Sequence, residues 1–319
     1  MPTLDRHLIG TEEALFISLR SFRVVILCIL DWTGPPLPLE FCFLHKRTQI
    51  RIESDQRRTK SWMDQSTPST ASAAGAGGVG TGGIHAGVYG EKTQTIVFLR
   101  HGVAKHNLLD EKTRTPADVK DPNLFDPPLV LEGKRQALES GDRIRVWWHT
   151  TQAGEQLELV ITSPLTRCLQ TTSLAFLAGD RYCQDLPEPT VACLEVVREA
   201  YGMSYPDRRR NKGLLESSWP RVHFDPAMSA EDELWKLTER ESVPDVVGRV
   251  NHFFQWVVQR PESNLVVVSH GVWIECCFYA HCPTALSNGD RVRNGDVFAG
   301  ECVSQNGVFQ RLQNVRRIE

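Results

Sequence analysis

Three runs of mostly β-branched and aliphatic residues constrain the fold more than anything else in the chain: Gln94-Thr-Ile-Val-Phe-Leu99, Leu157-Glu-Leu-Val-Ile-Thr162 and Asn264-Leu-Val-Val-Val-Ser269. A strand covered on both faces reads as a near-continuous apolar run, because neither face is left to water, and such strands belong to parallel sheets flanked by helices. Leu131 to Trp148 has helical spacing, with Gly133, Ala137, Leu138, Ile144 and Trp148 as face residues. Leu165 to Ala178 and Asp245 to Val258 also read as helices. Strands alternating with helices predict an α/β fold, a three-layer α/β/α sandwich around a mostly parallel central sheet.

This pattern occupies only the later part of the chain. Residues 65–90 are rich in Gly, Ser and Ala and nearly free of charged and bulky apolar side chains. Such a composition cannot bury enough surface to offset its conformational entropy, so a flexible linker is expected there. The expected organisation is an N-terminal extension over 1–64, the linker over 65–90, and one folded domain over 91–319. Within the extension, Val24 to Leu30 is strongly apolar, but Arg20, Arg23 and Asp31 around it leave far fewer than the ~20 residues a membrane span needs. A basic start before a short apolar run also resembles a targeting segment. Glu12, Glu13 and the lack of a small-residue cleavage site favour a poorly structured extension instead. Nine cysteines without a Cys-x-x-Cys pair argue against a disulfide framework and a zinc ribbon. A reducing, cytoplasmic setting is expected, with organellar targeting by the N-terminal segment as the alternative. The net charge of −3 gives no global basic field, so neither nucleic acid nor an anionic membrane is an expected partner. Any anion site must be local, and the oligomeric state is open.

In an open parallel sheet, ligands bind where strand ends lead into helix N-termini. The first run passes into Arg100-His101-Gly102, the second into Ser163-Pro164-Leu165-Thr166-Arg167, and the third into His270-Gly271. Two histidines and two arginines are thereby brought to one end of one sheet. Arginine offers a permanently charged fork of donors matched to phosphate oxygens. A histidine among such cations has its pKa lowered, because like charges disfavour its protonated form, and a neutral imidazole nitrogen is a competent nucleophile.

Arg100-His101-Gly102 after the first strand, Asn107 five residues beyond Gly102, Arg167 after Ser163-Pro164, and Ser269-His270-Gly271 after a late strand together resemble the histidine phosphatase superfamily. That group includes the cofactor-dependent phosphoglycerate mutases and acid phosphatases. The likeness covers roughly Thr95 to Val297 and implies a phosphoglycerate mutase-like fold. It implies that His101 carries a phosphoryl group, that Arg100, Arg167 and His270 bind and neutralise its oxygens, and that Asn107 and Gly271 line the substrate site. An asparagine at 107 could equally cap a following helix.

A carboxylic acid near His101 is needed to protonate the leaving oxygen and then activate water. Leu194-x-x-x-Arg198-Glu199-x-x-Gly202, followed by Asp207-Arg-Arg-Arg210, resembles a fungal and plant branch of the superfamily in which the glutamate after the arginine is the proton donor. Glu199 is therefore the candidate acid and Glu195 the fallback. The run Arg208-Arg209-Arg210-Asn211-Lys212 could clamp a second anionic part of the substrate or be solvated surface. Val103 departs from the glutamate or glutamine common in the family, and Lys105 or His106 could compensate. Asp126 to Gly133 with Gln136-Ala137 resembles an architectural motif at the start of a helix. Asp232-Glu-Leu-Trp235 and Arg240-Glu241 are expected to support the second half of the sheet, and Asn294 to Val297 resembles the closing strand. No metal and no cofactor is expected, since arginines supply the positive charge. The expected activity is hydrolysis of a small phosphorylated substrate. A mutase, or an inactive module that binds phosphorylated ligands, is the alternative.

Overall fold

A computed structural model of the protein describes residues 90–109, 114–152, 155–177, 188–287 and 289–319. The expected extension and, apart from Gly90, the expected linker lie outside these residues. Strands β1 (Glu91–Arg100), β2 (Leu159–Thr162), β3 (Thr190–Cys193), β4 (His223–Phe224), β5 (Asn264–Ser269), β6 (Val297–Gln305) and β7 (Val308–Ile318) form a seven-stranded sheet in the order β4-β3-β2-β5-β1-β6-β7. β1 to β5 pair in parallel, and β6 pairs antiparallel with both β1 and β7.

Both faces of the sheet are buried, as the apolar runs require. Ile96 and Phe98 of β1 and Leu265 and Val267 of β5 enter one core, under helices α4 (Val243–Val258) and α5 (Gly271–His281). The alternate residues, Val97, Leu99, Val266 and Val268, enter the other, under α1 (Leu131–Thr151), α2 (Thr166–Thr172) and α3 (Lys212–Ser218). Ile96 to Leu99 have no exposed surface. At about 1.5–3 kcal/mol per buried side chain, on the order of 10 kcal/mol fixes the strand that presents Arg100 and His101. Register then aligns the chemistry: Arg100 pairs with Ser269, and Thr162 with Val268. His101, Ser163 and His270 consequently follow their strands at one edge.

Several elements depart from the sequence expectation. α2 ends at Thr172 and continues as a π-helical turn, Ser173–Leu177, while Ala178 lies outside the described residues. On α1, Ser140 and Gly141 join the buried face and Leu138 is only half-buried. α5 is apolar almost all round and so shows no 3.6-residue period. β3 and β4 are too short for a pattern, and β7 is a largely exposed edge strand of polar composition. Asp232 to Trp235 and Arg240 to Glu241, expected to support the second half of the sheet, lie outside its strands, and Asp232, Arg240 and Glu241 form ion pairs described below.

Candidate active site

His101 leaves β1 with 1% of its surface exposed. Its Nδ1–H donates to the carbonyl of Gly102 at 2.7 Å, and its Nε2 accepts from Arg167 Nε at 3.2 Å. These partners define a neutral ring with the lone pair on Nε2. Burial, then the charges of Arg167 and Arg100, push the pKa of His101 well below the usual histidine range. The loop after His101 lies against the start of α1. A Cβ on Gly102 would stand 2.2 Å from the Gly133 carbonyl oxygen, and one on Gly133 would stand 2.0 Å from that of Val103, so both positions require glycine.

Arg167 is fully enclosed, and every nitrogen of its guanidinium is bound. Nε also reaches His270 Nδ1 at 3.3 Å, Nη1 donates to the Pro206 carbonyl at 2.5 Å, and Nη2 donates to Asp207 Oδ1 at 2.8 Å. Asp207 shares its other oxygen with Arg240 Nη1 at 3.0 Å. Burial opposes ionisation of Asp207, but Arg167 and Arg240 outweigh it and hold its pKa below the ordinary value. The start of α2 that carries Arg167 is anchored by buried Asp126, which accepts from the Thr166 N–H at 2.8 Å and its hydroxyl at 2.5 Å. This gives the Asp126 motif an architectural use. His270 packs its ring 5.0 Å from that of His101, centroid to centroid, and its Nε2 meets Ser163 Oγ at 2.8 Å. Burial and Arg167 depress its pKa as well.

The structure separates the two glutamates. Glu195 Oε1 accepts from Arg198 Nη1 at 3.0 Å and Arg209 Nε at 2.6 Å, both on buried guanidinium groups. Glu199 has no such partner: it accepts the Ala200 N–H at 2.9 Å and, at the start of α5, the Val272 N–H at 3.3 Å. Burial, followed by the negative charge of Asp207, raises its pKa above the usual carboxylate value. Asp232 clamps Arg198 with Oδ1 and Oδ2 at 3.0 and 2.7 Å, and Glu241 clamps Arg249, so the loop carrying Glu199 is pinned from both sides. Gly202 ends that loop at φ +87°, where an added Cβ would lie 1.8 Å from the Glu239 carbonyl oxygen.

Arg100 is half-buried, donates to the Val292 carbonyl, and lies across Gly271 at the head of α5. Asn107 braces the loop: its Oδ1 accepts from the Ala104 N–H at 3.0 Å and from Asn294 Nδ2 at 3.4 Å, and Asn294 also donates to the His101 carbonyl at 3.0 Å. The basic run divides. Arg209 is buried on Glu195 and on the backbone carbonyls of Arg210, Ser229, Ala230 and Glu231; Arg210 pairs with Asp126; Lys212 meets the Asp225 carbonyl. Arg208 is exposed, stacked between Phe125 and Trp235. The bridging role of Asp207 escaped the sequence reading, where it stood as one acid beside a basic run; its isolation among arginines was the available signal. Among the described residues no group of three or more His, Cys, Asp or Glu is placed to hold a metal ion. None of their helices is long and apolar enough to cross a membrane.

A cluster of two neutral histidines and an enclosed arginine, together with a buried glutamate whose pKa is raised, suits transfer of an anionic group to nitrogen. The model of the histidine phosphatase superfamily (branch 1) matches residues 96–314. Phosphoglycerate mutase-like protein 1 of Arabidopsis thaliana is 29% identical over 218 residues, covering 62% of this chain and 73% of that protein. A probable phosphoglycerate mutase of Arthroderma benhamiae is 30% identical over 188 residues, 55% of each chain. Among solved structures, a mycobacterial glucosyl-3-phosphoglycerate phosphatase aligns over 71% of this chain and 97% of its own, with a TM-score of 0.40 and 17% identity. The protein belongs to the histidine phosphatase superfamily and is phosphoglycerate mutase-like.

Proposed function

We propose that the protein hydrolyses small phosphate monoesters through a phosphohistidine on His101. The observation that carries this reading is the tautomer of His101: a lone pair on Nε2, set by the Gly102 carbonyl, within hydrogen-bond distance of the Arg167 guanidinium. In the first step Nε2 forms a bond to phosphorus as the bond to the ester oxygen breaks, and Glu199 gives its proton to that oxygen. In the second step the Glu199 carboxylate takes a proton from water, whose oxygen attacks phosphorus. The N–P bond then breaks, phosphate leaves, and His101 returns to the neutral state. Arg100 and Arg167 neutralise the phosphoryl oxygens in both steps and His270 helps to bind them, with Asn107 and Gly271 shaping the site, so no metal is needed for charge stabilisation. The segment after the acid supports hydrolysis over mutase chemistry. From Gly202 to Trp219 it is consumed by a short turn and by α3, which packs Leu215 into the core, leaving little length to enclose a second substrate.

The names of the relatives favour a second reading, exchange between phosphoglycerates, in which a substrate hydroxyl replaces water. Incubation with 3-phosphoglycerate distinguishes them. Phosphate release exceeding formation of the 2-isomer is expected; isomer formation far above phosphate release would establish the mutase.

A further inference from the structure

His106 borders the catalytic cluster without a task in this scheme. Its ring lies 6.2 Å from that of His101, centroid to centroid, and the charges of Arg167, Asp207 and Arg100 act on it. The neighbouring asparagine settles its protonation. Asn107 Oδ1 accepts the Ala104 backbone N–H, which can only donate, so the amide is oriented without ambiguity. That orientation sets Nδ2, also only a donor, 3.0 Å from His106 Nε2. Nε2 must therefore hold the lone pair, and in a neutral imidazole the proton lies on Nδ1. Burial, assisted by Arg167, independently lowers the pKa of this ring to about 3. The Nδ1 atom is buried and has no hydrogen-bond partner among the described residues. A buried donor left unmet is costly and is retained where a ligand answers it.

We propose that His106 is a phosphoryl-binding residue that donates its Nδ1–H to an oxygen of the group passing through His101. The proposal rests on the phosphohistidine reading above. A neutral donor grips an oxygen without adding a third positive charge beside Arg100 and Arg167. Val103, three residues earlier, offers no polar side chain, and His106 supplies the donor in its place.

Titration calorimetry with inorganic phosphate tests this on the full chain. His106→Phe keeps the ring and removes the donor; His106→Asn can place an amide nitrogen near the position of Nδ1. The phosphate Kd is expected to rise about 10-fold or more in the Phe variant, the scale of one hydrogen bond to a charged group, and to stay within about 3-fold of wild type in the Asn variant. kcat/KM for an aryl phosphate should follow the same order. Unchanged phosphate affinity in His106→Phe would overturn the proposal, as would an equal loss in both variants. If His106→Phe does not fold, the Asn variant decides alone, and loss of phosphate binding in it refutes the donor role. Failure of the phosphohistidine reading shows separately, as wild-type turnover without a phosphoryl group on His101.

Discussion

Replacing Glu199 with glutamine removes a proton and little else, so its effect should depend on how much the leaving oxygen needs that proton. The side chain accepts two backbone N–H groups, from Ala200 and Val272. A glutamine keeps one acceptor and turns an NH2 toward the other, a local mismatch of about 1–3 kcal/mol. General acid catalysis contributes about 10²–10⁴ in rate. With glycerol phosphate, whose alkoxide is a poor leaving group, kcat/KM should fall by about 10²–10⁴. With 4-nitrophenyl phosphate, whose phenolate leaves unaided, the first step should lose about 10-fold or less, because the mismatch is carried by the ground and transition states alike. A burst of nitrophenol should then appear, because water is no longer activated and the phosphoenzyme accumulates. Rapid-quench measurement of the first turnover reads both effects. Equal loss of first-step rate with the two substrates would refute the assignment of Glu199 as acid. Glu195→Gln is the control: it breaks a buried pairing with Arg198 and Arg209, costing about 3–5 kcal/mol of stability with no dependence on the leaving group.

The pH profile should be that of an acid-side enzyme. Glu199, raised by burial and Asp207, must be protonated to act, so kcat/KM for an alkyl phosphate falls as pH rises through its pKa. Burial and Arg167 hold His101 and His270 well below 6.5, so activity should persist on acidification through that pH; a loss centred there would contradict the neutral-histidine geometry. Asp207→Asn weakens the hold on Arg167 and Arg240 together and removes a charge that helps keep Glu199 protonated. It should cost about 10-fold or more in kcat/KM, the scale of one hydrogen bond to a charged group, and shift the alkaline limb to lower pH; an unshifted limb would show that the charge of Asp207 is not felt by the acid. A shortened chain beginning at Tyr89 retains all seven strands and every site residue named above, so it should fold and match the full chain in turnover; insolubility would place the domain boundary earlier.

What could be read from the sequence follows from where the governing interactions lie along the chain. Ile96 to Leu99 and Leu265 to Val268 are apolar because both sheet faces are covered, and that condition is written into consecutive residues. Parallel pairing then brings Arg100-His101 level with Ser269-His270, which made the histidine pair legible before any coordinates. Glu199 as the candidate acid was legible by resemblance only. Its separation from Glu195 depends on which glutamate meets Arg209, a contact across 14 positions with no periodic signature. The bridge Arg167–Asp207–Arg240 joins three loop or helix-start positions in the same way. Likewise, the basic run read as one feature, but folding sends Arg209 inward, Arg210 onto Asp126 and Arg208 out to solvent.

A bond between phosphorus and His101 is the step on which the proposed mechanism turns. Its direct test is mass spectrometry of the enzyme quenched in alkaline denaturant during turnover of 4-nitrophenyl phosphate, conditions under which phosphohistidine survives. A phosphoryl group is expected on the peptide bearing His101, enriched in Glu199→Gln and absent, together with turnover, in His101→Ala. A His101→Ala protein that still turns over, or a phosphoryl group found on His270 or His106 instead, would contradict it.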